Sequence, residues 1–320
     1  MAKYLVTGGA GYIGGVCVEK LLERGDEVVI LDNLSTGHED NIKPGAIFYK
    51  GNVGDANLVN KIFAEHKIEA VLHFAGLIQV GESVKLPGKY FENNFSQGIN
   101  LLESMVQNGV NKIIFSSTAA VFGNPLEIPI KEESIKEPIN PYGESKFMFE
   151  KAIKRFHDAY GLRFTIFRYF NACGATGQNK ESHTPETHLI PLIFEAINGK
   201  RENITVFGTD YDTPDGTCIR DYVHVADLVD AHLLALEYMN QSEENYFNLG
   251  NGSGYSVKEV IGAVEKVTEK KVPVVYGDRR EGDPARLIAT SEKARQQLRW
   301  SPKYTKIETI IKSAWDAIIS

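Results

Sequence analysis

The chain has 320 residues, and its 35 Lys and Arg against 42 Asp and Glu give a formal net charge of −7. With 42% hydrophobic and 24% charged residues, the composition is that of a globular protein and excludes a largely disordered chain. An acidic chain without clustered Lys and Arg is also a poor candidate for nucleic-acid binding.

The cysteines and the N-terminus indicate a compartment. Cys17, Cys173 and Cys218 are odd in number and far apart, so neither a disulfide framework nor a Cys-based zinc site is indicated, and we expect no metal site. No apolar run approaches the ~18 residues of a membrane span. The N-terminal apolar stretch is too short for a signal peptide and runs into glycines. We therefore expect a soluble, cytoplasmic protein without a membrane partner.

The first half of the chain alternates buried-strand patterns with helix patterns. The strand patterns are Lys3–Thr7, Val28–Asp32, Ile47–Gly51, Ala70–Phe74, Lys112–Ser117 and Arg163–Tyr169. The helix patterns are Ile13–Arg24, Asn57–His66, Asn93–Asn108 and Tyr142–Tyr160. This rhythm predicts the α/β class, with a Rossmann-type doubly wound parallel sheet covered by helices on both faces.

Beyond about Asn171 the rhythm breaks, which predicts a smaller mixed α/β part. Residues 172–187 and 203–224 have the composition of long irregular loops. Helices are expected at Leu189–Asn198, Val225–Tyr238, Val257–Thr268 and Ile307–Ile318, and short strands at Tyr246–Leu249 and Pro273–Tyr276. We expect a cofactor domain at 1–171, with segments near 225–250 returning to it, and a substrate domain mainly at 172–320. A ligand cleft should lie between the two parts, at the carboxyl ends of the strands.

The segment Thr7–Gly14 reads TGGAGYIG and joins the first strand to the first helix. Gly8 suits a tight turn, Gly11 lets the backbone approach a pyrophosphate, and Gly14 permits close packing of the helix on the strand. The N-terminus of the helix then offers free amides to the anion. This context predicts a dinucleotide site.

Asp32 ends the second strand and is suited to accept hydrogen bonds from an adenosine ribose diol. Its charge would repel a 2′-phosphate, so the residue favours NAD over NADP. The following segment, Asn33, Ser35, Thr36 and Gly37, is placed to wrap the same ribose.

A YxxxK pattern puts Tyr142 and Lys146 one turn apart on one helix face. A free tyrosine has a pKa near ~10, and a neighbouring ammonium favours its phenolate form, which can act as a base. Thr118 follows Ser116 and Ser117 at the end of the fifth strand, where its hydroxyl could join a substrate hydroxyl to Tyr142. We take these three residues as the catalytic candidates.

The chain resembles the extended short-chain dehydrogenase/reductases and, within them, the 4-epimerases of UDP-hexoses. The match runs nearly from end to end. It is carried by TGGAGYIG, DNLSTGH, HFAG, VGESV, FSSTAAVFG, PYGESK, RYFNACGA, VFGTDYDTPDGTCIRDYVHV, FNLGNG and RREGDPA, in the order and approximate spacing of that family.

The resemblance implies NAD-dependent 4-epimerisation of UDP-glucose or UDP-galactose, and so a place in galactose metabolism. In this family, Tyr142 would be the base, Lys146 would adjust its pKa, and Thr118 would bond the 4-hydroxyl. Hydride would pass from C4 to tightly bound NAD and return to the other face of a transient 4-keto sugar. The resemblance also implies a homodimer formed through Asn93–Asn108 and Tyr142–Tyr160.

The remaining site residues are implied by the same resemblance. The cofactor set comprises Gly8, Gly11, Tyr12, Ile13, Gly14, Asp32, Asn33, Ser35, Thr36, Gly37, Asn52, Val53, Phe74, Ala75, Gly76, Asn93, Ser116, Tyr142, Lys146 and Tyr169. The UDP-sugar set comprises Thr118, Tyr142, Asn171, His188, Leu189, Thr205, Phe207, Arg220, Arg280 and Asp283. In this set Arg220 and Arg280 would hold the pyrophosphate, although Arg220 could instead pair with the adjacent Asp221.

Three positions bear on alternative reactions and substrates. Leu287 stands where strict UDP-hexose members have a larger tyrosine, so N-acetylated substrates (UDP-GlcNAc/GalNAc) remain candidates. A 4-epimerase of UDP-glucuronate or of a UDP-pentose also remains an alternative. Ala119 and Ala120 stand where related dehydratases and decarboxylases carry acidic groups, which argues against those reactions. A non-catalytic NAD sensor is the alternative from another class; it is disfavoured because Tyr142 and Lys146 are both present.

Overall fold

The computed structural model describes residues 2–177, 179–181, 183, 185–280 and 283–319. The first part of the chain forms these elements: β1 (Lys3–Thr7), α1 (Tyr12–Glu23), β2 (Glu27–Asp32), β3 (Ile47–Lys50), α2 (Ala56–Glu65), β4 (Ala70–His73), α3 (Val80–Lys85), α4 (Pro87–Phe91), α5 (Gln97–Gln107), β5 (Lys112–Thr118), α6 (Pro141–Tyr160) and β6 (Arg163–Tyr169).

The rest of the chain forms shorter strands and five helices within the described residues. They are β7 (Asn171–Cys173), α7 (Leu189–Ile197), β8 (Ile204–Phe207), β9 (Ile219–Arg220), β10 (Tyr222–His224), α8 (Val225–Tyr238), β11 (Glu244–Leu249), β12 (Tyr255–Ser256), α9 (Val257–Thr268), β13 (Val274–Gly277), β14 (Arg286–Leu287), α10 (Glu292–Gln297) and α11 (Ile307–Ile319).

A seven-stranded parallel sheet in the order β11-β6-β5-β4-β1-β2-β3 organises the first part. Helices cover both faces. One apolar core joins the sheet to α1 and α8, and a second joins its other face to α2, α5 and α6. The predicted Rossmann-type α/β fold is therefore confirmed.

The chain returns to this sheet after β7. Strand β11 pairs in parallel with β6, from Glu244 against Phe164 to Leu249 against Tyr169. Helix α8 packs against the same core as α1. Helices α7, α9 and α11 enclose a separate core around Ile193, Val264 and Ile310.

The expected elements before residue 171 are found within a few residues of their expected ends, with one exception. Glu92–Ser96 forms a turn of π-helix, so the helix expected from Asn93 begins as a regular α-helix only at Gln97. Helices α3, α4 and α10 were not expected. They have five or six residues each, too short to show a helical apolar period.

The expectation that 203–224 is irregular is wrong at both ends of that range. Residues Ile204–Phe207 pair with β13, while β9 pairs with β12 and β14. These strands have two to four residues, and their partners lie far away in the sequence. Tertiary pairing therefore decides their conformation, and local pattern does not.

No described helix is both long and apolar enough to cross a bilayer.

Candidate active site

The turn between β1 and α1 accepts only glycine at two positions. Gly8 has a φ of +75°, and a Cβ added there would lie 2.6 Å from the backbone nitrogen of Ala75. A Cβ at Gly14 would lie 2.1 Å from the carbonyl oxygen of Gly8. The residue before α1, Gly11, supplies no side-chain acceptor for the first amides of the helix. The first amides of α1 are thus left without a side-chain cap, as an anion site requires.

Asp32 is nearly buried at the end of β2, with its side chain directed at this turn. Its carboxylate accepts hydrogen bonds from the Ala10 amide at 3.0 Å and from the Leu34 amide at 2.8 Å. A Cβ at Gly37 would lie 2.9 Å from the Ala10 carbonyl carbon, so the 33–37 loop folds closely over the turn. Asn33 donates to Asn52 at 2.5 Å, which joins two residues of the predicted cofactor set.

The other predicted cofactor residues surround the end of β4 and the start of α1. Phe74 and Ala75 donate from their amides to the Thr7 carbonyl at 3.0 and 3.1 Å. A Cβ at Gly76 would lie 2.9 Å from the Lys146 ammonium. Val53 is buried beyond β3, Tyr12 and Ile13 begin α1, and Ser35 and Thr36 are exposed.

Next to the predicted Asn93, the structure has a more constrained asparagine. Asn94 is 2% exposed, and it bonds the Leu77 amide at 2.8 Å and the Ser145 hydroxyl at 3.1 Å. The π-helical turn Glu92–Ser96 directs Asn94 inward. A regular helical pattern does not predict this turn, so sequence alone could not decide between the two asparagines.

Tyr142 and Thr118 are brought together by β5 and α6. Thr118 is the last residue of β5, and Tyr142 lies in the first turn of α6, which Asn140 caps and Pro141 begins. Burial raises the pKa of Tyr142, and a hydrogen bond with the Thr118 side chain lowers it in part. The Tyr142 ring also meets Tyr90 edge-on, with ring centroids 6.5 Å apart.

Lys146 follows one turn later on α6 and is 3% exposed. Its ammonium donates to the Ser116 carbonyl at 3.0 Å and lies 4.9 Å from the centre of the Phe115 ring. Burial lowers the pKa of Lys146 to about 8, and the charge of Glu150 opposes that shift. Ser116 also hydrogen-bonds the hydroxyl of Tyr169, so these two predicted residues touch.

The two alanines that follow Thr118 form a short 3-10 turn with Val121 and Phe122. The amide of Ala120 donates to the Thr118 hydroxyl at 3.1 Å. No acidic side chain occupies the two positions where related dehydratases carry one.

Four members of the UDP-sugar set lie together in the C-terminal part. Asp283 accepts from Arg280 at 2.8 Å and lies 3.5 Å from an Arg220 nitrogen. The Arg280 guanidinium lies 5.0 Å from the centre of the Phe207 ring, which is 40% exposed. The structure thus places two cations, one carboxylate and an open aromatic face in one region. Glu281 and Gly282 of the REGD segment lie outside the described residues.

Arg220 does not form the alternative ion pair with Asp221. The fully buried Asp221 carboxylate instead accepts from the amides of Asn251 at 2.8 Å and Gly252 at 2.9 Å. Burial raises the pKa of Asp221, and these amide bonds oppose the shift. This carboxylate therefore ties a loop after β11 to β9 and β10.

The other predicted UDP-sugar residues are more scattered. Asn171 donates from its side chain to the Asp221 carbonyl at 3.0 Å, and Thr205 lies on β8 beside Phe207. Leu189 begins α7, and the preceding His188 directs its ring at Glu186, 2.9 Å away. Although burial lowers the pKa of His188, the carboxylates of Glu181 and Glu186 raise it to about 10.

A buried ion pair next to the site was missed by sequence reasoning. Arg168 on β6 and Glu150 on α6 are 3% and 2% exposed, and two guanidinium nitrogens meet the carboxylate at 2.6 and 3.0 Å. The Ser117 hydroxyl donates to the same carboxylate. The signal that could have revealed this pair is an arginine inside an otherwise apolar strand, which needs a buried partner.

The fold and this site define a class. The model of the NAD dependent epimerase/dehydratase family matches residues 4–250. The chain belongs to this family.

Individual relatives are more specific. A curated protein from Streptococcus mutans, described as UDP-glucose 4-epimerase, is 51% identical over 316 residues, which cover 97% of this chain and 95% of that protein. A crystal structure of a UDP-glucose 4-epimerase is 49% identical with a TM-score of 0.96, and covers 98% of this chain and 97% of the other. The Brucella ovis UDP-glucose 4-epimerase, solved in complex with NAD, is 40% identical with a TM-score of 0.95 and the same coverages.

Proposed function

We propose that this chain catalyses the NAD-dependent 4-epimerisation of a UDP-hexose, interconverting UDP-glucose and UDP-galactose. The observation that carries the proposal is the placement of Thr118 at the end of β5 and Tyr142 in the first turn of α6, with the buried Lys146 one helical turn away. Full-length relatives near 50% identity that are described as UDP-glucose 4-epimerases support the same reaction.

The residues around the β1–α1 turn fit a dinucleotide. The backbone at Gly11 is open to close approach, because a Cβ added there would meet only the Gly8 carbonyl oxygen among the described residues, at 3.2 Å, and α1 begins there without a side-chain cap. The Asp32 carboxylate lies at the adjacent strand end, where a ribose diol would be bound. Gly8, Gly11, Asp32 and Asn33 would hold NAD. When bound, NAD supplies the acceptor and donor of the hydride at C4 of the sugar.

The proton chemistry belongs to three side chains. Tyr142 would take the proton of the 4-hydroxyl as C4 of the sugar is oxidised, and would return a proton to that oxygen when C4 is reduced. Thr118 would hold the hydroxyl oxygen in hydrogen-bond reach of Tyr142. Because burial raises the pKa of Tyr142, the phenolate needs a nearby positive charge, which the buried Lys146 would provide.

The cluster of Arg220, Arg280, Asp283 and Phe207 suits the UDP portion. Guanidinium groups bind pyrophosphate through paired N–H donors, and a carboxylate accepts from ribose hydroxyls. Phe207 offers an exposed ring for uracil. Asp283 would release part of its contact with the arginines when the pyrophosphate binds. Asn171 would contact the phosphates, while His188, Leu189 and Thr205 would contribute backbone or apolar surface to the uracil pocket.

The proposal extends to assembly and location. The stripe Phe95, Ile99, Leu102 and Met105 is mostly core, since Leu102 and Met105 are fully buried within the chain. A homodimer would therefore use the outward faces of α5 and α6, next to the exposed Val84 on α3. Light scattering after gel filtration tests this assembly. The three cysteines are buried and unpaired, which suits the reducing cytoplasm. The proposed interconversion of UDP-glucose and UDP-galactose would place the protein in galactose metabolism.

A substrate comparison tests the function. Purified protein is incubated separately with UDP-glucose, UDP-GlcNAc and UDP-glucuronate, and each product is quantified by chromatography; NAD is measured in the denatured protein. We expect bound NAD and conversion of UDP-glucose to UDP-galactose at the highest kcat/KM. Bound NAD without any conversion would identify a sensor instead, and faster conversion of UDP-GlcNAc would replace the hexose with an N-acetylated sugar.

A further inference from the structure

Four metal-ligating side chains converge in the loop between β7 and α7. They follow the spacing Glu-x-His-x-x-Glu-x-His and form what we name the His–Glu cluster: Glu181, His183, Glu186 and His188. One potential ligand atom of each lies within 4.8 Å of the ligand atoms of all the others. The argument from cysteine number against a zinc site does not bear on a carboxylate–imidazole set.

The separations within the cluster match those between ligands of one small cation. The Nδ1 atom of His188 lies 2.9 Å from an oxygen of Glu181 and 2.9 Å from an oxygen of Glu186. The Nδ1 atom of His183 lies 3.5 Å from Glu181 and 3.8 Å from Glu186. Tetrahedral zinc with ligands at ~2.0–2.1 Å requires ligand atoms about 3.4 Å apart, in the middle of this range.

The burial of the two carboxylates requires a positive charge at the same place. The side chains of Glu181 and Glu186 are 8% and 6% exposed, and among the described residues their ion pairs involve only His183 and His188. The buried Tyr12 and Cys173 also lie close to Glu181 and carry no positive charge. Buried anions are costly unless they are paired or coordinate a metal.

One imidazole nitrogen is left without a hydrogen bond. The Nδ1 atom of His183 is buried and has no hydrogen-bond partner within the part of the chain that the structure describes. It is the same atom that faces both carboxylates at 3.5 and 3.8 Å. This nitrogen is thus directed into the cluster at a distance suited to sharing a cation and too long for a direct hydrogen bond.

We propose that the His–Glu cluster is a structural zinc site with four protein ligands. Imidazole nitrogens favour Zn²⁺ over Mg²⁺ and Ca²⁺, which prefer oxygen ligands throughout. Four side chains complete a tetrahedron and leave no position for a substrate, as in structural sites. The site is separate from the proton-transfer residues on β5 and α6.

The His–Glu cluster lies where a metal could stabilise the connection between two parts of the fold. The loop before it packs on α1: Tyr12 donates to the Gly174 carbonyl at 2.5 Å, and Asn179 bonds Glu19. The cluster ends where α7 begins, at His188 and Leu189. A metal there would fasten the connection between the NAD-binding sheet and the helices that follow it, and would fix the start of α7.

Metal content and coordination test the proposal on the full-length protein. The protein is loaded with Zn²⁺, desalted, and analysed by mass spectrometry for metal and by X-ray absorption for the ligands. We expect about one zinc per chain, with nitrogen and oxygen neighbours near ~2.0–2.1 Å and no sulfur. Zinc should also raise Tm, and a chelator should reverse the rise.

Two variants and one control locate the site. His183→Gln and Glu181→Gln each remove one ligand, and should weaken zinc binding by more than the ~10–100-fold that loss of an outer-shell partner costs. His66→Gln changes a histidine that bonds Tyr49 far from the loop, and should bind zinc as the native protein does.

Two results would overturn the proposal: retention of no zinc by the native protein, or equal retention by native protein and both variants. If the variants do not fold, the native protein loaded with Co²⁺ decides, since four-coordinate cobalt absorbs visible light strongly and six-coordinate cobalt weakly. A weak six-coordinate spectrum, or none, would leave the cluster as a pair of imidazolium–carboxylate contacts.

Discussion

The ammonium of Lys146 donates to the carbonyl oxygen of Ser116 at 3.0 Å, so a side chain of α6 is fastened to the strand that ends in Thr118. The bond fixes the charged group below the first turn of α6, where Tyr142 meets Thr118. Because the acceptor is the backbone carbonyl of Ser116, substituting the Ser116 side chain leaves this hydrogen bond in place. Among the two side chains, only that of Lys146 is needed for the bond.

Replacing the proposed base should slow turnover strongly while NAD stays bound. Tyr142→Phe removes the hydroxyl that would exchange the proton of the 4-hydroxyl, and we expect kcat to fall by about 100- to 10,000-fold. Tyr160→Phe is the control, because this tyrosine is 58% exposed at the far end of the same helix. Unchanged epimerisation by Tyr142→Phe would refute the mechanism.

The buried ammonium also makes stability depend on pH in a defined direction. Burial lowers the pKa of Lys146 from 10.5 to about 8, so between these pH values the unfolded chain binds more protons than the folded one. Stability contributed by this group therefore rises with pH across that window, by at most about 1.4 kcal/mol per pH unit. Below pH 8 the cost of burying the charge is fully present.

Urea unfolding at pH 7, 8, 9 and 10 checks this sign. Lys146→Met lacks the buried charge, so the free energy of unfolding of the native protein should rise relative to that of the variant as pH increases. Lys151→Met, an exposed position on α6, should show a constant difference. A flat difference for Lys146→Met would contradict the shifted pKa.

Removing the charge at the end of β2 should change the choice of cofactor. Asp32→Asn keeps the shape of the side chain but weakens its bonds to the Ala10 and Leu34 amides and its repulsion of a 2′-phosphate. We expect NAD content to fall and the preference for NAD over NADP to narrow by about tenfold. Asp40→Asn, at an exposed position, should change neither quantity. If Asp32→Asn and Asp40→Asn had the same preference for NAD over NADP, Asp32 would be excluded from the ribose contact.

The proposed pyrophosphate contact predicts an effect mainly on KM. Arg220→Lys keeps the charge but loses the planar fork, so binding of the UDP-sugar should weaken by about 10- to 100-fold with a smaller change in kcat. Arg155→Lys is the matched control, since the Arg155 side chain is 83% exposed. A fall in kcat alone, with KM unchanged, would place Arg220 outside the ground-state contact.

Removing one partner of the buried ion pair between Glu150 and Arg168 should lower the free energy of unfolding strongly. Glu150→Gln leaves the buried guanidinium without a countercharge, and we expect a loss of about 3–5 kcal/mol. Glu103→Gln, on the exposed face of α5, should cost less than about 0.5 kcal/mol. Thermal or urea unfolding of both variants measures the difference, and equal losses would show that the pair is energetically neutral.

Much of the fold could be predicted from sequence because its signals are local. The apolar strands, the TGGAGYIG turn and the Pro141 and Gly161 boundaries of α6 each determine structure through neighbouring residues. The placement of Tyr142 and Lys146 one helical turn apart, and of Thr118 at a strand end, could also be predicted, while their catalytic role stays a prediction.

The rest depends on contacts between distant residues. The contact of Asp283 with Arg220 joins segments far apart in the chain, and the inward direction of Asn94 follows from a π-helical turn. The short strands β8 and β9 exist only through their partners. None of these relationships leaves a periodic trace in the sequence.

The late arrival of β11 has a consequence for synthesis of the protein. Until residue 249 has left the ribosome, β6 is an uncovered edge of the sheet, with unpaired backbone donors and acceptors. A truncated chain ending near 171 would keep that edge permanently open and would add strands from other molecules to it. Strand β6 is paired on both sides only after most of the second part has been made, and β11 then becomes the edge strand, so the two parts mature together.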